Sequence, residues 1–345
     1  MVNEYRQLIC EARVAEKYLI VSIGSIGRRH LRNLRTLRPK AQIGTLRLTA
    51  IGAGEGLPEG ADIQFGSIDE ALAFAPAAAI IASPASSHLA VALPLVRAGI
   101  PLLIEKPLAT TCMGVGELLD AAAGIPVMVA YNLRFLPSLA ETRRLVQSGS
   151  IGQILGVRAE VGQYLPDWRS AARYQESVSA RQVLGGGALL ELSHEIDYVC
   201  WILGAPSRVA ASGGRYSALE IDVEDMVSLT LEYDQPRILA NIHLDFLQRA
   251  ASRSCKFIGS EGTLVWDGMA ETIALYRADT REWTRTELRA VPDKNAMYLD
   301  ELSHFLGAVE HRTPVMIDGE QGLQGLSIVE AAKRSITTRA GVELG

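Results

Sequence analysis

The stretch KYLIVSIGSIGRRHLRNL, residues 17–34, is the one whose reading decides the fold. A short β-branched run gives way to Gly24-Ser25-Ile26-Gly27, and a helix-like segment follows over 27–38. Strand, glycine loop, helix is the context that a dinucleotide fingerprint requires. Glycine lets backbone amides approach a pyrophosphate, and the helix N-terminus adds partial positive charge. Ser22 stands where the first fingerprint glycine belongs, and Arg28 opens the basic side of the helix.

Charge sharpens the reading. From Lys17 to Gly54 there is no Asp or Glu, while Lys17, Arg28, Arg29, Arg32, Arg35, Arg38, Lys40 and Arg47 are present. Recognition of a ribose 2′-hydroxyl normally uses an acid about 20 residues on, at the end of the second strand. Arg47 occupies that place, followed by Thr49. A guanidinium there can grip a 2′-phosphate, which a carboxylate would repel, so NADP is expected ahead of NAD.

Similar apolar runs recur at 44–52, 77–83 and 100–106, with helix-like stretches between them such as 88–98. Runs without strict alternation suit strands buried on both faces of a parallel sheet, and their alternation with helices predicts a doubly wound Rossmann α/β domain. After Tyr131 the pattern changes. MVSLTLEY (226–233) alternates apolar and polar positions, turns at Asp234-Gln235-Pro236, and alternates again in RILANIHLDF. That is an antiparallel sheet with one packed face, closed by helices over 297–310 and 320–339. A chain of 345 residues exceeds the usual size of one core. We therefore expect a nucleotide-binding domain over 1–130, with 1–16 as an extension, and an α+β substrate and oligomerisation domain over 131–345.

Composition narrows the classes. With 48% hydrophobic and 21% charged residues and a net charge of −5, nothing favours nucleic acid or an anionic membrane as partner. Cys10, Cys112, Cys200 and Cys255 are scattered, with no CxxC and no zinc spacing, as suits free thiols of the cytoplasm. Neither a spanning segment nor a signal peptide is read, and no repeat is found.

Two further stretches carry chemistry. PLLIEKP puts Glu105 and Lys106 at the carboxyl end of a strand, where open α/β sheets hold ligands. GGGALLELSHEIDYVCWILG (185–204) reads as three glycines and one helix, stopping at Gly204. Glu191, His194, Asp197 and Tyr198 form one polar stripe on that mostly apolar helix. Buried ionisable groups are costly unless paired or functional, so the stripe is a candidate site. Ser83, Pro84 and His88 follow the third long apolar strand, and Asn132 and Arg134 of YNLRF open the second domain. Tyr164, Trp168, Arg169, Arg173, Tyr174 and Arg181 precede the glycines and suit a sugar bearing a carboxylate or phosphate.

The order GxIGRRHLRNL, SPxxSH, EKPL, YNLRF and GGGxxxExxHxxDxxxWxxG, over roughly 17–340, resembles the glucose–fructose oxidoreductase/inositol dehydrogenase/MocA family. The resemblance implies a nicotinamide cofactor and hydride transfer at a hydroxyl-bearing carbon of a sugar, sugar acid or nucleotide sugar, without a metal. It implies that Lys106 and His194 act at the substrate hydroxyl. The family's acid four before the helix histidine is here Leu190, and Glu191 is the nearest substitute. On this reading Gly24, Ser25, Ile26, Gly27, Arg28, Arg47, Ser83, Pro84, His88, Glu105, Lys106 and Asn132 face the cofactor. Arg134, Tyr164, Trp168, Arg169, Arg181 and Asp197 face the substrate, and Glu191 or Asp197 orients His194. The rivals are redox-neutral chemistry on a retained cofactor (an epimerase or glycosidase) and a non-catalytic NADP(H)-binding regulator. The polar sheet face bearing Ser228, Thr230, Glu232, Asn241, His243 and Asp245 is expected to pair copies of the chain into a homodimer or homotetramer.

Overall fold

The computed structural model describes residues 16–48, 56–168, 173–288 and 295–344. Strands β1 (Lys17–Val21), β2 (Gln42–Leu46), β3 (Ile63–Phe65), β4 (Ala78–Ile81), β5 (Leu102–Glu105) and β6 (Val127–Ala130) form one parallel sheet. Its order, β3-β2-β1-β4-β5-β6, is that of a doubly wound nucleotide-binding fold. The apolar runs are buried on both sides: Leu19, Val21, Ile81, Leu102 and Ile104 are fully covered. Helices α1 (Ser25–Leu37), α2 (Ile68–Ala73), α3 (His88–Arg97) and α4 (Val115–Ala121) make the crossovers. Strand order reverses between β1 and β4, so the crevice opens beyond their carboxyl ends, with the end of β5 alongside.

The chain then runs through α5 (Pro137–Gln147), β7 (Ile154–Gly162), α6 (Ala188–Glu191) and α7 (His194–Leu203). The remaining strands are β8 (Arg208–Gly214), β9 (Met226–Asp234), β10 (Arg237–Asp245), β11 (Ser252–Gly259), β12 (Gly262–Asp267), β13 (Thr272–Arg277), β14 (Glu282–Glu287) and β15 (Val342–Glu343). They join β7 in a nine-stranded sheet, β14-β13-β12-β11-β7-β10-β9-β8-β15. Only the β7–β10 pairing is parallel. The hairpin expected at Asp234–Pro236 forms, with Asp234 paired to Arg237.

One face of this sheet packs against α5, α6 and α7; Trp266 Nε1 donates to Ser138 Oγ at 3.0 Å and Tyr198 meets the Trp266 ring edge-on. The other face is polar and open. Ser228 and His243 pair across the strands at 2.8 Å, as do Asn241 and Thr230 at 2.9 Å. A concavity of about 1090 Å³ lies over these residues. Asp245 lies on that face as alternation expects, its carboxylate 3.3 Å from His243 Nε2, but it is buried there and also accepts from the Leu247 and Gln248 amides and from Gln248 Nε2.

The closing helices α8 (Ala296–His311) and α9 (Gly319–Thr338) tie back to the first sheet. Asn33 of α1 and Asn295 exchange side-chain hydrogen bonds, and the Val129 amide donates to the Ile317 carbonyl at 2.9 Å. Arg134, in the turn after β6, is the deepest link. Its Nε and one terminal nitrogen grip both oxygens of Asp197 at 3.0 and 2.7 Å, and the other donates to Gln321 of α9 at 2.8 Å. Both members of the ion pair are 3% exposed. Removing one partner of such a pair strands the other, so Arg134→Met should cost about 3–5 kcal/mol in urea unfolding. A loss below about 1 kcal/mol would show that the pair is not what joins α7 and α9.

Candidate active site

The glycine loop adopts the geometry that its sequence anticipates, with one substitution of means. Ser22 takes φ +70°, the left-handed turn that the missing glycine would supply, and its amide donates to the Leu46 carbonyl at 2.8 Å. A Cβ on Gly27 would fall on the Ser22 carbonyl oxygen, so glycine is obligatory there. A Cβ on Gly24 would meet nothing within 4 Å, leaving open space before the amides that start α1. That turn contains no acid, and Gly24 and Ser25 are exposed. Open cradle, glycine-only packing and basic surroundings fit a dinucleotide pyrophosphate. Arg28 is exposed beside it, and Arg47 follows β2 directly.

The second half of the site comes from a break in a helix. The single helix expected over 188–203 is two, α6 and α7, separated at Leu192 and Ser193. In an unbroken helix the Glu195 amide would take the Glu191 carbonyl; instead it turns to Leu192 O at 3.4 Å. The Glu191 carbonyl accepts from Lys106 Nζ at 2.8 Å, and Glu191 Oε1 lies 3.8 Å from the same nitrogen. Ser179 Oγ donates to Glu191 Oε2 at 2.6 Å and fixes the carboxylate. The glycines before α6 permit this approach: a Cβ on Gly186 would collide with the Val178 carbonyl, and one on Gly185 would press Thr110 at 2.7 Å.

His194 begins α7 with its ring edge-on to Tyr131 at 5.5 Å. Burial, with the charges of Lys106 and then Arg253, pushes its basicity well below the usual imidazole range. It is therefore neutral at pH 7 and able to accept a proton. Its Nδ1 is buried with no hydrogen-bond partner among the described residues. This corrects the expected orienting carboxylate: Glu191 is held by Ser179 and Lys106, and Asp197 by Arg134.

Other assignments also move. Arg134 and Asp197 face each other inside the protein rather than a substrate. His88 is 1% exposed, with Nε2 2.8 Å from the Ser83 carbonyl and Nδ1 3.0 Å from that of Pro107. It joins the loops after β4 and β5 instead of touching a cofactor. Ser83 is buried and accepts from Ser87, while Pro84 is half-buried at the loop. Asn132 is buried beside Tyr298, whose ring lies under the Arg29 guanidinium at 4.3 Å. Tyr198 is a core residue. Tyr164 carries the Arg249 guanidinium over its ring at 3.5 Å, Trp168 packs edge-on to Phe246, and Arg181 sits 3.9 Å from Asp222. Arg169 lies outside the described residues. Among the described residues no group of His, Cys, Asp and Glu is arranged to hold a metal ion.

Sequence patterns alone missed the supports. Glu105 is fixed by His30 of α1, Nε2 to Oε1 at 2.7 Å, and the adjacency of GRRH to the glycine loop was the available signal. Behind it Glu301 of α8 is fully buried, and neither carboxyl oxygen has a hydrogen-bond partner among the described residues. Burial and then the charge of Glu105 raise it well above the ordinary 4.5, which favours the protonated, neutral carboxyl in the folded chain.

The comparisons with known proteins follow this geometry. The profile described as "Oxidoreductase family, NAD-binding Rossmann fold" matches residues 17–133, and that of the GFO/IDH/MocA C-terminal domain matches 139–265. The chain belongs to the GFO/IDH/MocA oxidoreductase family. It is an oxidoreductase by that membership, with an NAD-binding Rossmann domain. Inositol 2-dehydrogenase 2 of Saccharopolyspora erythraea is 32% identical over 225 residues, 62% of each chain. The 1,5-anhydro-D-fructose reductase of Ensifer adhaerens is 25% identical over 339 residues, covering 94% of this chain and 95% of that one. The levoglucosan dehydrogenase structure with NADH and L-sorbose superposes with TM-score 0.84 at 20% identity, over 96% of this chain and 99% of that one. At that identity the likeness is one of fold. Among the described residues no helix is long and apolar enough to cross a membrane.

For an acid whose folded-state pKa is raised, stability is complete below its unfolded value and is lost as pH rises. Wild-type stability should therefore fall relative to Glu301→Gln as pH climbs from about 4.5 to 8, where the unfolded carboxyl is free to ionise. Urea midpoints of the two proteins at several pH values check this. A constant gap would mean that Glu301 is ionised in the fold.

Proposed function

We propose that the protein oxidises or reduces a hydroxyl-bearing carbon of a sugar-type substrate, with Lys106 and His194 acting at the reacting oxygen. The observation that carries this is the placement of the Lys106 ammonium against the α6–α7 break, beside a neutral His194 and past the glycine cradle. A nicotinamide dinucleotide bound along Gly24–Gly27 supplies the hydride acceptor or donor. In the oxidation direction His194 takes the hydroxyl proton, and the Lys106 ammonium stabilises the negative charge growing on that oxygen. Glu191 holds Lys106 in line. The C–H bond breaks with both electrons leaving as hydride, and the carbonyl product remains. The names of the relatives, an inositol dehydrogenase and an anhydrofructose reductase among them, support a polyol or sugar.

Arg47 and Arg28 support a preference for NADP over NAD through the 2′-phosphate. The division at 130/131 is proposed as the boundary between cofactor and substrate domains. Free thiols at Cys112, Cys200 and Cys255 support a cytoplasmic setting. The open polar sheet face, with Leu239 half-exposed on it, supports pairing of two copies into a dimer or a dimer of dimers.

Nicotinamide absorbance during turnover of a panel of sugars and sugar acids tests the reaction; no oxidation or reduction of any would remove the reading. Lys106→Ala and His194→Ala should each lower kcat by about 10²–10⁴, with cofactor affinity reduced far less. Full activity in His194→Ala would remove its role. Arg–phosphate hydrogen bonds of about 1.5–3 kcal/mol each should give at least about tenfold preference for NADP, reversed in Arg47→Asp. Equal affinities in fluorescence titrations would end that proposal. Light scattering should give at least twice the 37.3 kDa of one chain.

A further inference from the structure

The sequence patterns did not single out Arg253, yet it is the charged side chain that β11 brings to the packed face of the second sheet beside the candidate base. Along β11, Cys255 and Phe257 on that face are fully buried, and Arg253 lies in phase with them, paired with Val161 of β7. Its Nε donates to Glu195 Oε1 at 2.8 Å; Glu195, the residue after His194, is fully buried. The arginine side chain itself keeps 21% of its surface open. Its remaining N–H groups make no hydrogen bond or ion pair among the described residues.

The backbone and stem of Arg253 are closely held. The Gly268 amide donates to the Arg253 carbonyl at 2.8 Å, and a Cβ on Gly268 would stand 2.9 Å from Arg253 Cγ. Arg253 thus combines a clamped stem, a carboxylate anchor that uses one of its five donors, and a partly open fork. A held fork of this kind matches the two oxygens of a planar carboxylate. Glu195, which it holds, follows His194 directly at the start of α7, so the guanidinium is anchored one residue from the candidate base. Nothing in the transfer of hydride at a neutral polyol calls for a second cation there.

We propose that Arg253 is a specificity-determining residue that takes the carboxylate of an acidic sugar, an aldonate or uronate, while Lys106 and His194 address its reacting hydroxyl. This rests on the oxidoreductase reading above and names its substrate class. Glu195 acts as a positioning residue that orients the fork.

The test pairs acids with neutral counterparts. Gluconate, glucuronate, glucose and myo-inositol are titrated calorimetrically into the NADPH- or NADH-loaded protein, and turnover is followed with the matching oxidised or reduced cofactor. The wild type should bind at least one acid tenfold or more tightly than either neutral compound. In Arg253→Gln the loss should be at least tenfold greater for the acid than for the neutral counterpart. Should that variant fold poorly because Glu195 is left unpaired, the double variant Glu195→Gln/Arg253→Gln carries the same expectation without a stranded charge. Arg253→Lys, a point charge without the fork, should recover only part of the preference. Neutral compounds bound as well as both acids, or equal losses for both classes, would overturn the proposal. Acid-selective, Arg253-dependent binding without turnover would sustain it and remove the oxidoreductase reading instead.

Discussion

The Lys106 ammonium sits where the carboxyl end of β5 meets the broken helix of the second half of the chain, and its 2.8 Å hydrogen bond to the Glu191 carbonyl sets the geometry of everything around it. That bond exists because α6 and α7 do not run on as one helix, which leaves a backbone acceptor facing the cleft. The same charge acts on His194, adding to burial in keeping the imidazole neutral. One cation therefore joins the two sheets and keeps its neighbour in the neutral form, and under the proposed function it is also the charge that meets a substrate oxygen. Each of those roles fails if Lys106 moves, which explains why Glu191, Ser179 and the tight glycines converge on it.

A second layer of largely buried groups holds this arrangement through bonds to one another. His30 fixes Glu105, His88 joins the loops after β4 and β5, and the Arg134–Asp197 pair locks α7 to α9 through Gln321. These are polar residues placed at high desolvation cost, and their partners come from distant segments. Their effect is to make the loop positions definite, as a site held to tenths of an ångström requires.

Much of the first half was legible because its signals are local. A β-branched run, a glycine turn and a following helix need no distant partner to be recognised, and the alternation in 226–245 fixed which residues face the core. Lys106, Glu191 and His194 were found from strand-end position, helix phase and family resemblance, and the structure brings them together. The partnerships were another matter. Arg134 read as a cleft residue because nothing nearby in sequence announces Asp197, which lies 63 residues away. His88 was misassigned for the same reason, its partner Pro107 lying 19 residues on, and Arg253 and Glu301 were invisible because only the packed fold reveals what neighbours they have. The helix break was hidden by an apolar pattern that continues unbroken across it.

The proposed chemistry needs a neutral His194, whose state is governed by its burial and by Lys106. Following the imidazole of His194 by nitrogen-edited NMR through a pH titration, in the wild type and in Lys106→Met, examines that directly. It predicts a wild-type midpoint well below the ordinary 6.5, and a clear upward move once the ammonium is gone. A wild-type midpoint at or above the ordinary value, or one that Lys106→Met leaves where it was, would contradict it.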